Sequence, residues 1–267
     1  MLSLESQQER RNASDRRGGG RRVEELAAAL VQNQVEILFQ PQFASSDGTL
    51  IGAEALSRWN HPTLGKIGAE ALFDIAERAG HARDLTRHIA GRALVVAAAW
   101  PEPLRLSLNV TASDLAAMDF ADTIAEALSA AGFPPERLTL EITEQALVYE
   151  LDRSAAQLER LAARGVSIAL DDFGAGFCNF HYLKRLPLHL LKLDRSMIEG
   201  IAEDERDIAV LRGIVAMARA LGLAIVAEGI ETEEQRATIA REGCDKWQGF
   251  LGGAPMTADE FALIALR

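Results

Sequence analysis

Cysteine is scarce in this chain of 267 residues: Cys178 and Cys244 are the two present. They lie far apart and form no motif, which leaves no cysteine framework to read and fits a reducing cytosol. Long apolar runs are missing as well. Val95-Val96-Ala97-Ala98-Ala99-Trp100 stops at Pro101, far short of the ~20 residues of a membrane span, so no membrane contact is expected. Residues 1–22 lack the apolar centre of a secretory signal. A basic excess is absent too. The net charge is −11, and six arginines against Glu5, Glu9 and Asp15 give residues 1–22 a local +3, which leaves −14 for the rest. Such a body lacks the basic stripes that grip a nucleic-acid backbone, so DNA or RNA binding is not expected, and an anionic ligand would need cations between it and the protein. The five histidines (His61, His81, His88, His181, His189) fall at no strand end and in no metal-ligand spacing, and read mostly as surface residues.

What is present is enough apolar sequence, 48 % hydrophobic against 25 % charged, to build one large core. Residues 1–22, polar and ending in Gly18-Gly19-Gly20, read as a disordered leader or linker. A larger parent protein with an upstream regulatory domain is compatible with that. The domain proper is read as 23–267 and opens with a helix from Val23. Candidate strands follow at Glu36–Phe43, Thr49–Trp59, Leu104–Val110, Leu138–Thr143, Val166–Asp171, Leu190–Asp194, Ala224–Glu228 and Asp245–Gln248. Helical patterns cover Ala71–Gly80, Leu85–Trp100, Ser113–Ala131, Ser154–Arg164, Arg206–Leu221, Glu233–Glu242 and Thr257–Leu266. Ser45-Ser46-Asp47-Gly48 marks a hairpin between the first two strands. A hairpin followed by repeated βα units, eight strands in all, predicts an α/β fold: a (β/α)8 TIM-like barrel with its first strand antiparallel to the others. A doubly wound open sheet is the runner-up, but no GxGxxG follows the first strand.

The candidate strands end in polar groups that a buried strand should not carry: Glu54, Asn109, Glu141, Asp171-Asp172, Lys192, Glu228 and Gln248. Burying one unpaired charge costs several kcal/mol, and the carboxyl ends of barrel strands are where such folds place active sites. Asp171-Asp172 taken alone is as much a solvated turn as a metal site; the recurrence along the chain favours the site. Carboxylates and an amide oxygen are hard ligands suited to Mg2+ or Mn2+. More carboxylates than one ion can use point to two ions, which would clamp the two oxygens of a phosphoryl displacement. Lys192 adds a positive charge able to position a water or to neutralise charge at phosphorus.

These residues resemble the EAL-domain family of bacterial phosphodiesterases that hydrolyse cyclic di-GMP. The naming motif stands as Glu54-Ala55-Leu56 within Glu54-Ala55-Leu56-Ser57-Arg58-Trp59-Asn60-His61-Pro62. Gln40-Pro41, Ser107-Leu108-Asn109, Glu141-Ile142-Thr143-Glu144, Asp171-Asp172-Phe173-Gly174, Leu191-Lys192-Leu193-Asp194, Ala227-Glu228-Gly229-Ile230-Glu231 and Gln248-Gly249 follow in family order. The resemblance implies hydrolysis of one phosphodiester bond to linear 5'-pGpG with two divalent cations. The metal ligands it implies are Glu54, Asn109, Glu141, Asp171 (as the bridge), Asp172 and Glu228. Lys192 is implied as the water-positioning lysine, so that Glu54, Asp172, Lys192 and Glu228 carry the chemistry. Gln40, Leu56, Arg58 and Gln248 are implied substrate contacts, with Glu144 anchoring a loop and Glu231 in support. A homodimer and a cytoplasmic location are expected. One departure is the loop Phe173-Gly174-Ala175-Gly176-Phe177-Cys178-Asn179, where the family commonly carries hydroxyl side chains. Its coupling of metal site to dimer interface is therefore in question. His189 stands where an aspartate is common and Ala254 where an arginine often precedes Pro255. Two rival readings are a non-catalytic cyclic di-GMP receptor or protein-interaction domain, and a metal-dependent lyase or enolase-like barrel.

Overall fold

The computed structural model describes residues 25–32, 34–143, 146, 151–176 and 180–266. The leader read at 1–22, Glu144, and Phe177, Cys178 and Asn179 of the divergent loop lie outside them. The described residues group into two units. One takes its members from Met1–Glu36 and Ser57–Ile89, the other from Ile37–Leu56 and Ala90–Arg267.

The larger unit carries the barrel. Its strands are β1 (Val35–Ala44), β2 (Leu50–His61), β4 (Arg105–Val110), β5 (Leu138–Thr143), β6 (Ser167–Phe173), β7 (Leu190–Leu193), β8 (Ala224–Ala227) and β9 (Lys246–Gln248); β1 and β2 begin or end in the smaller unit, which also holds β3 (Gly65–Ile67). The order β1-β9-β8-β7-β6-β5-β4-β2-β3, with an extra pairing of β1 to β2, closes the sheet. β1 runs antiparallel to β9, while β2 pairs with β4, and β4 through β9 with one another, in parallel around the barrel; β3 pairs antiparallel to β2 alone. This is the TIM-like barrel with an antiparallel first strand that the hairpin predicts. Parallel strands covered by helices are buried on both faces and read as near-continuous apolar runs. Leu106, Leu138, Leu140, Ile168, Leu170, Leu191 and Ile225 accordingly sit in one core with the helix residues Leu94, Leu128, Leu158 and Leu161.

Local chemistry fixes the connections. Thr232 caps the helix Glu233–Glu242 in a reciprocal box with Gln235, and Thr257 caps Ala258–Ala265 with Glu260; each such cap is worth about 1 kcal/mol. Gly52 is needed for a different reason. A β-carbon there would stand 2.2 Å from the carbonyl oxygen of Arg105, so only glycine lets β2 meet β4 two residues before Glu54.

Several boundaries differ from the sequence reading. The helix expected over Ser113–Ala131 is two, Ala112–Leu115 and Phe120–Ala131. Thr111 and Asp114 close a capping box on the first, which is spent after one turn. Strand β3 and the short helix Phe180–Arg185 carry no periodic signal. The strand expected to reach Asp194 ends at Leu193 because the Asp194 side chain turns to accept the amide of Ser196, at 3.0 Å. His61 corrects the view of the histidines. It closes β2, extended by pairing with β3, and is buried with its ring 4.7 Å from that of Trp59 and its Nε2 3.2 Å from Glu25.

Candidate active site at the carboxyl ends of the strands

Register brings the polar strand residues together. Asn109 on β4 lies beside Glu141 on β5, and Thr143 beside Asp171 on β6. Glu54, Glu141, Asp171 and Lys192 are all buried. At their centre is an ammonium group, not a vacant cage. Lys192 Nζ lies 2.6 Å from Glu141, 2.7 Å from Glu228, 3.1 Å from Asp171 and 3.5 Å from Glu54. Asn109 Nδ2 donates to Glu54 Oε1 at 2.7 Å, and Gln248 Nε2 donates both to Glu54 Oε2 at 2.7 Å and to Glu228 Oε1 at 2.9 Å.

Asp171 and Asp172 raise a geometric question, since neighbours on a regular strand face opposite sides. The answer is a bulge. Leu170 pairs with Leu191 and Phe173 with Leu193, so Asp171 and Asp172 together oppose Lys192. Asp172 absorbs the extra residue in a left-handed conformation at φ 56°, which aspartate tolerates better than most residues. Asp171 Oδ1 in turn accepts the Asp172 amide at 3.0 Å. Asp171 is thereby buried on Lys192, while Asp172 is exposed yet close enough to feel the charges of Asp171, Lys192, Asp194 and Glu54.

The charges do not balance. Three buried carboxylates and the half-buried Glu228 share one ammonium, and their acidities show it. Burial and then the charge of Glu54 hold Glu141 well above the usual carboxylate range. Burial, followed by Asp171 and Glu54, pushes Glu228 to about 8 against the pull of Lys192. Burial raises Asp171, and burial followed by Asp171 raises Asp172 to about 6. Glu54 differs: burial pushes it up, but Lys192 and the hydrogen bonds from Gln248 and Asn109 outweigh that and leave it lowered. Lys192 is desolvated, yet the surrounding carboxylates keep it protonated, well above its ordinary value. Among the described residues no three acidic, imidazole or thiol side chains form a ready cage for an ion. The oxygen-rich, negatively overcharged donor set nevertheless suits hard divalent cations, which would supply the missing positive charge.

The remaining sequence candidates have partners outside this ring or lie outside the described residues. Gln40 donates to the Gly253 carbonyl at a long 3.5 Å, and Leu56 stands two residues beyond Glu54 on β2. Glu231 pairs with Arg195 at 3.1 Å and takes no part in the ring. Arg58 belongs to the smaller unit, where its Nη1 donates to the Ser57 carbonyl at 2.8 Å. Glu144 lies outside the described residues. One contributor was missed. Gln42 pairs in register with Gln248 and donates from Nε2 to Gln248 Oε1 at 2.9 Å. That bond fixes the Gln248 amide so that its nitrogen faces Glu54 and Glu228. A signal for it existed: Gln40 and Gln42 are two apart on one strand and must share a face. The backbone next to Gln248 is closely set as well, because a β-carbon on Gly249 would press on the Ile230 carbonyl oxygen.

Comparison with known proteins identifies the family. The family model described as the EAL domain matches residues 23–255. The cyclic di-GMP phosphodiesterase NbdA of Pseudomonas aeruginosa is 40 % identical over 237 residues, covering 87 % of this chain and 30 % of NbdA. RocR of the same organism, also a cyclic di-GMP phosphodiesterase, is 34 % identical over 242 residues, 90 % of this chain and 62 % of RocR. The solved structure of the PaMucR phosphodiesterase in complex with c-di-GMP superposes with a TM-score of 0.84 at 37 % identity, covering 90 % of this chain and 99 % of that one. The chain thus spans less than two thirds of the length of these two curated relatives.

Proposed function

The chain belongs to the EAL domain family, and from that premise we propose that it hydrolyses one phosphodiester bond of cyclic di-GMP, giving linear 5'-pGpG and lowering the level of this bacterial second messenger. The observation that carries the reading is the ring of Glu54, Glu141, Asp171 and Glu228 around the buried Lys192. Two divalent cations, Mg2+ or Mn2+, would be held by Glu54, Asn109, Glu141, Asp171, Asp172 and Glu228, and when bound they supply activation of water and neutralisation of charge at phosphorus. The rest of the chemistry falls to side chains. Lys192 keeps its proton, orients the attacking water and offsets negative charge developing on the phosphate. Glu228, 2.7 Å from the Lys192 ammonium, helps to take the water's proton. Gln248 holds Glu54 and Glu228 apart through its two N–H groups. Gln40 and Leu56 are proposed to meet the dinucleotide.

Product analysis tests this. Purified chain with Mn2+ should convert cyclic di-GMP to the linear dinucleotide; excess EDTA and Glu54→Ala should each abolish turnover. Hydrolysis undiminished by EDTA would overturn the two-cation reading, and binding without linear product would favour the receptor. We propose in addition that two copies pair near the helix Phe180–Arg185, where Phe180 is exposed; a concentration-independent monomer mass in sedimentation would refute it. Among the described residues no helix is long and apolar enough to cross a membrane.

A further inference from the structure

The opposite end of the barrel carries an imbalance of the other sign. Arg105, Ser167 and Lys246 are the first residues of β4, β6 and β9, so they share the amino-terminal floor beneath the acidic ring. Arg105 and Lys246 line a cavity of about 10 Å³, with Gln42, Ser107 and Thr139 among its polar walls and Glu141 and Lys192 above. Arg105 Nη2 donates to Ser167 Oγ at 2.7 Å, but its Nε is sealed from solvent with no acceptor. Among the described residues the Lys246 ammonium has no hydrogen-bond or ion-pair partner, and neither cation has a carboxylate within salt-bridge distance. The nearest acid on β9's approach is engaged elsewhere: Asp245 Oδ2 accepts the Ile225 amide at 2.7 Å.

We propose that this floor binds a small inorganic anion of chloride size, held between Arg105 Nε and the Lys246 ammonium. The small size follows from the cavity, which has room for about one water-sized sphere. The sign follows from the charges. A water could accept from Arg105 Nε, but it would leave two partly buried cations uncompensated in the same small space. Arg105, Lys246 and His189 at this end are each shifted in the direction an anion would reverse, and the charge of Arg137 adds to the lowering of Arg105. Burial lowers Arg105; burial and then Arg105 lower Lys246; burial and then Arg105 lower His189, whose Nδ1 already accepts the Ile168 amide at 3.1 Å. Lys192, a few residues away in the same barrel, is raised because its counter-charges are in place. The contrast marks the floor as lacking a partner among the described residues. Glu136, Asp245 and Glu141 act on these cations from a distance and do not reverse the shifts.

The test uses the whole chain and bromide or chloride as the probe, and is independent of any turnover. Crystals grown in sodium bromide should show an anomalous peak between Arg105 and Lys246. In solution, the 35Cl linewidth should show a saturable excess, and the melting temperature should be a few degrees higher in sodium chloride than in sodium gluconate at equal ionic strength. Lys246→Met should lose the excess linewidth and the chloride-dependent melting shift. Should that variant fail to fold, the wild-type peak and melting comparison decide alone. Water in place of bromide, or equal melting in the two salts, overturns the proposal.

Discussion

Replacing Lys192 with methionine is the sharpest perturbation of the ring. The side chain keeps its length and loses its charge, leaving Glu54, Glu141, Asp171 and Glu228 facing one another at the separations a central ammonium had bridged, 2.6–3.5 Å from its Nζ. Removing one partner from a buried ion cluster costs about 3–5 kcal/mol, because the remaining charge stays behind desolvated. At about 2–4 °C per kcal/mol for a domain of this size, chelated Lys192→Met should melt about 6–20 °C below chelated wild type at pH 8. The pH dependence provides an internal check. The stranded carboxylates can neutralise themselves by taking up protons, and burial already holds Glu228 at about 8 and Asp172 at about 6. The deficit should therefore shrink at pH 5. Saturating Mn2+ should restore much of the lost stability, since a bound cation replaces the missing charge, but should not restore hydrolysis. Differential scanning calorimetry with and without EDTA measures all of this. Equal melting of the two proteins in EDTA at pH 8 would refute the claim that Lys192 is the counter-charge of the ring.

Other outcomes follow from the same geometry. In EDTA the wild-type chain itself should lose stability as pH rises from 5 to 8.5. Asp172 and Glu228 bind protons more tightly folded than unfolded, so their contribution is complete below about 4, the ordinary carboxylate range, and is lost as pH passes through about 6 and about 8; a melting temperature that climbs over this range contradicts it. Gln42→Leu strands the buried Gln248 Oε1 and should cost about 1–3 kcal/mol in urea unfolding. It should also weaken Mn2+ binding about 10–100-fold by calorimetric titration, whereas a stability loss with unchanged Mn2+ affinity would reduce Gln42 to packing. Gly249→Ala should destabilise by about 1–3 kcal/mol, read by the same unfolding curve, because its β-carbon would press on the Ile230 backbone. In a Cys178→Ser background, Cys244 should resist thiol reagents at pH 8 until the protein unfolds, since burial and then Asp245 push its thiol to about 12; prompt labelling would show that site to be open.

The barrel was legible because buried parallel strands must be apolar at almost every position, and a charge inside such a run needs a structural reason. Glu54, Glu141, Asp171 and Glu228 announced themselves in that way. Strand β3 did not, because three half- or fully exposed residues, Gly65, Lys66 and Ile67, have no face to declare and owe their conformation to pairing with β2. The break in the helix expected over Ser113–Ala131 was hidden for a related reason: Asp114 is a poor helix-interior residue but a good cap partner, and only the tertiary setting chooses between the roles. Gln42 was hidden by its neutrality, since an amide in a strand creates no deficit that must be met.

Lys192 shows where single-sequence reasoning stops. Its place on β7 between Leu191 and Leu193, all three buried, suggests a lysine near a site, able to position a water. The structure instead makes it the centre, because Glu54, Glu141, Asp171 and Glu228 arrive on four other segments. Each of these five residues would be destabilising alone, and each is tolerable because the other four are present. That condition is a property of strand order and register, of Asn109 lying beside Glu141 and Thr143 beside Asp171, and no window of the sequence contains it. The same reasoning explains the bulge at Asp171-Asp172. A regular strand would turn one of the two carboxylates away from the barrel's mouth, and a single left-handed aspartate keeps Asp171 on Lys192 while leaving Asp172 at the rim, within the field of the same charges.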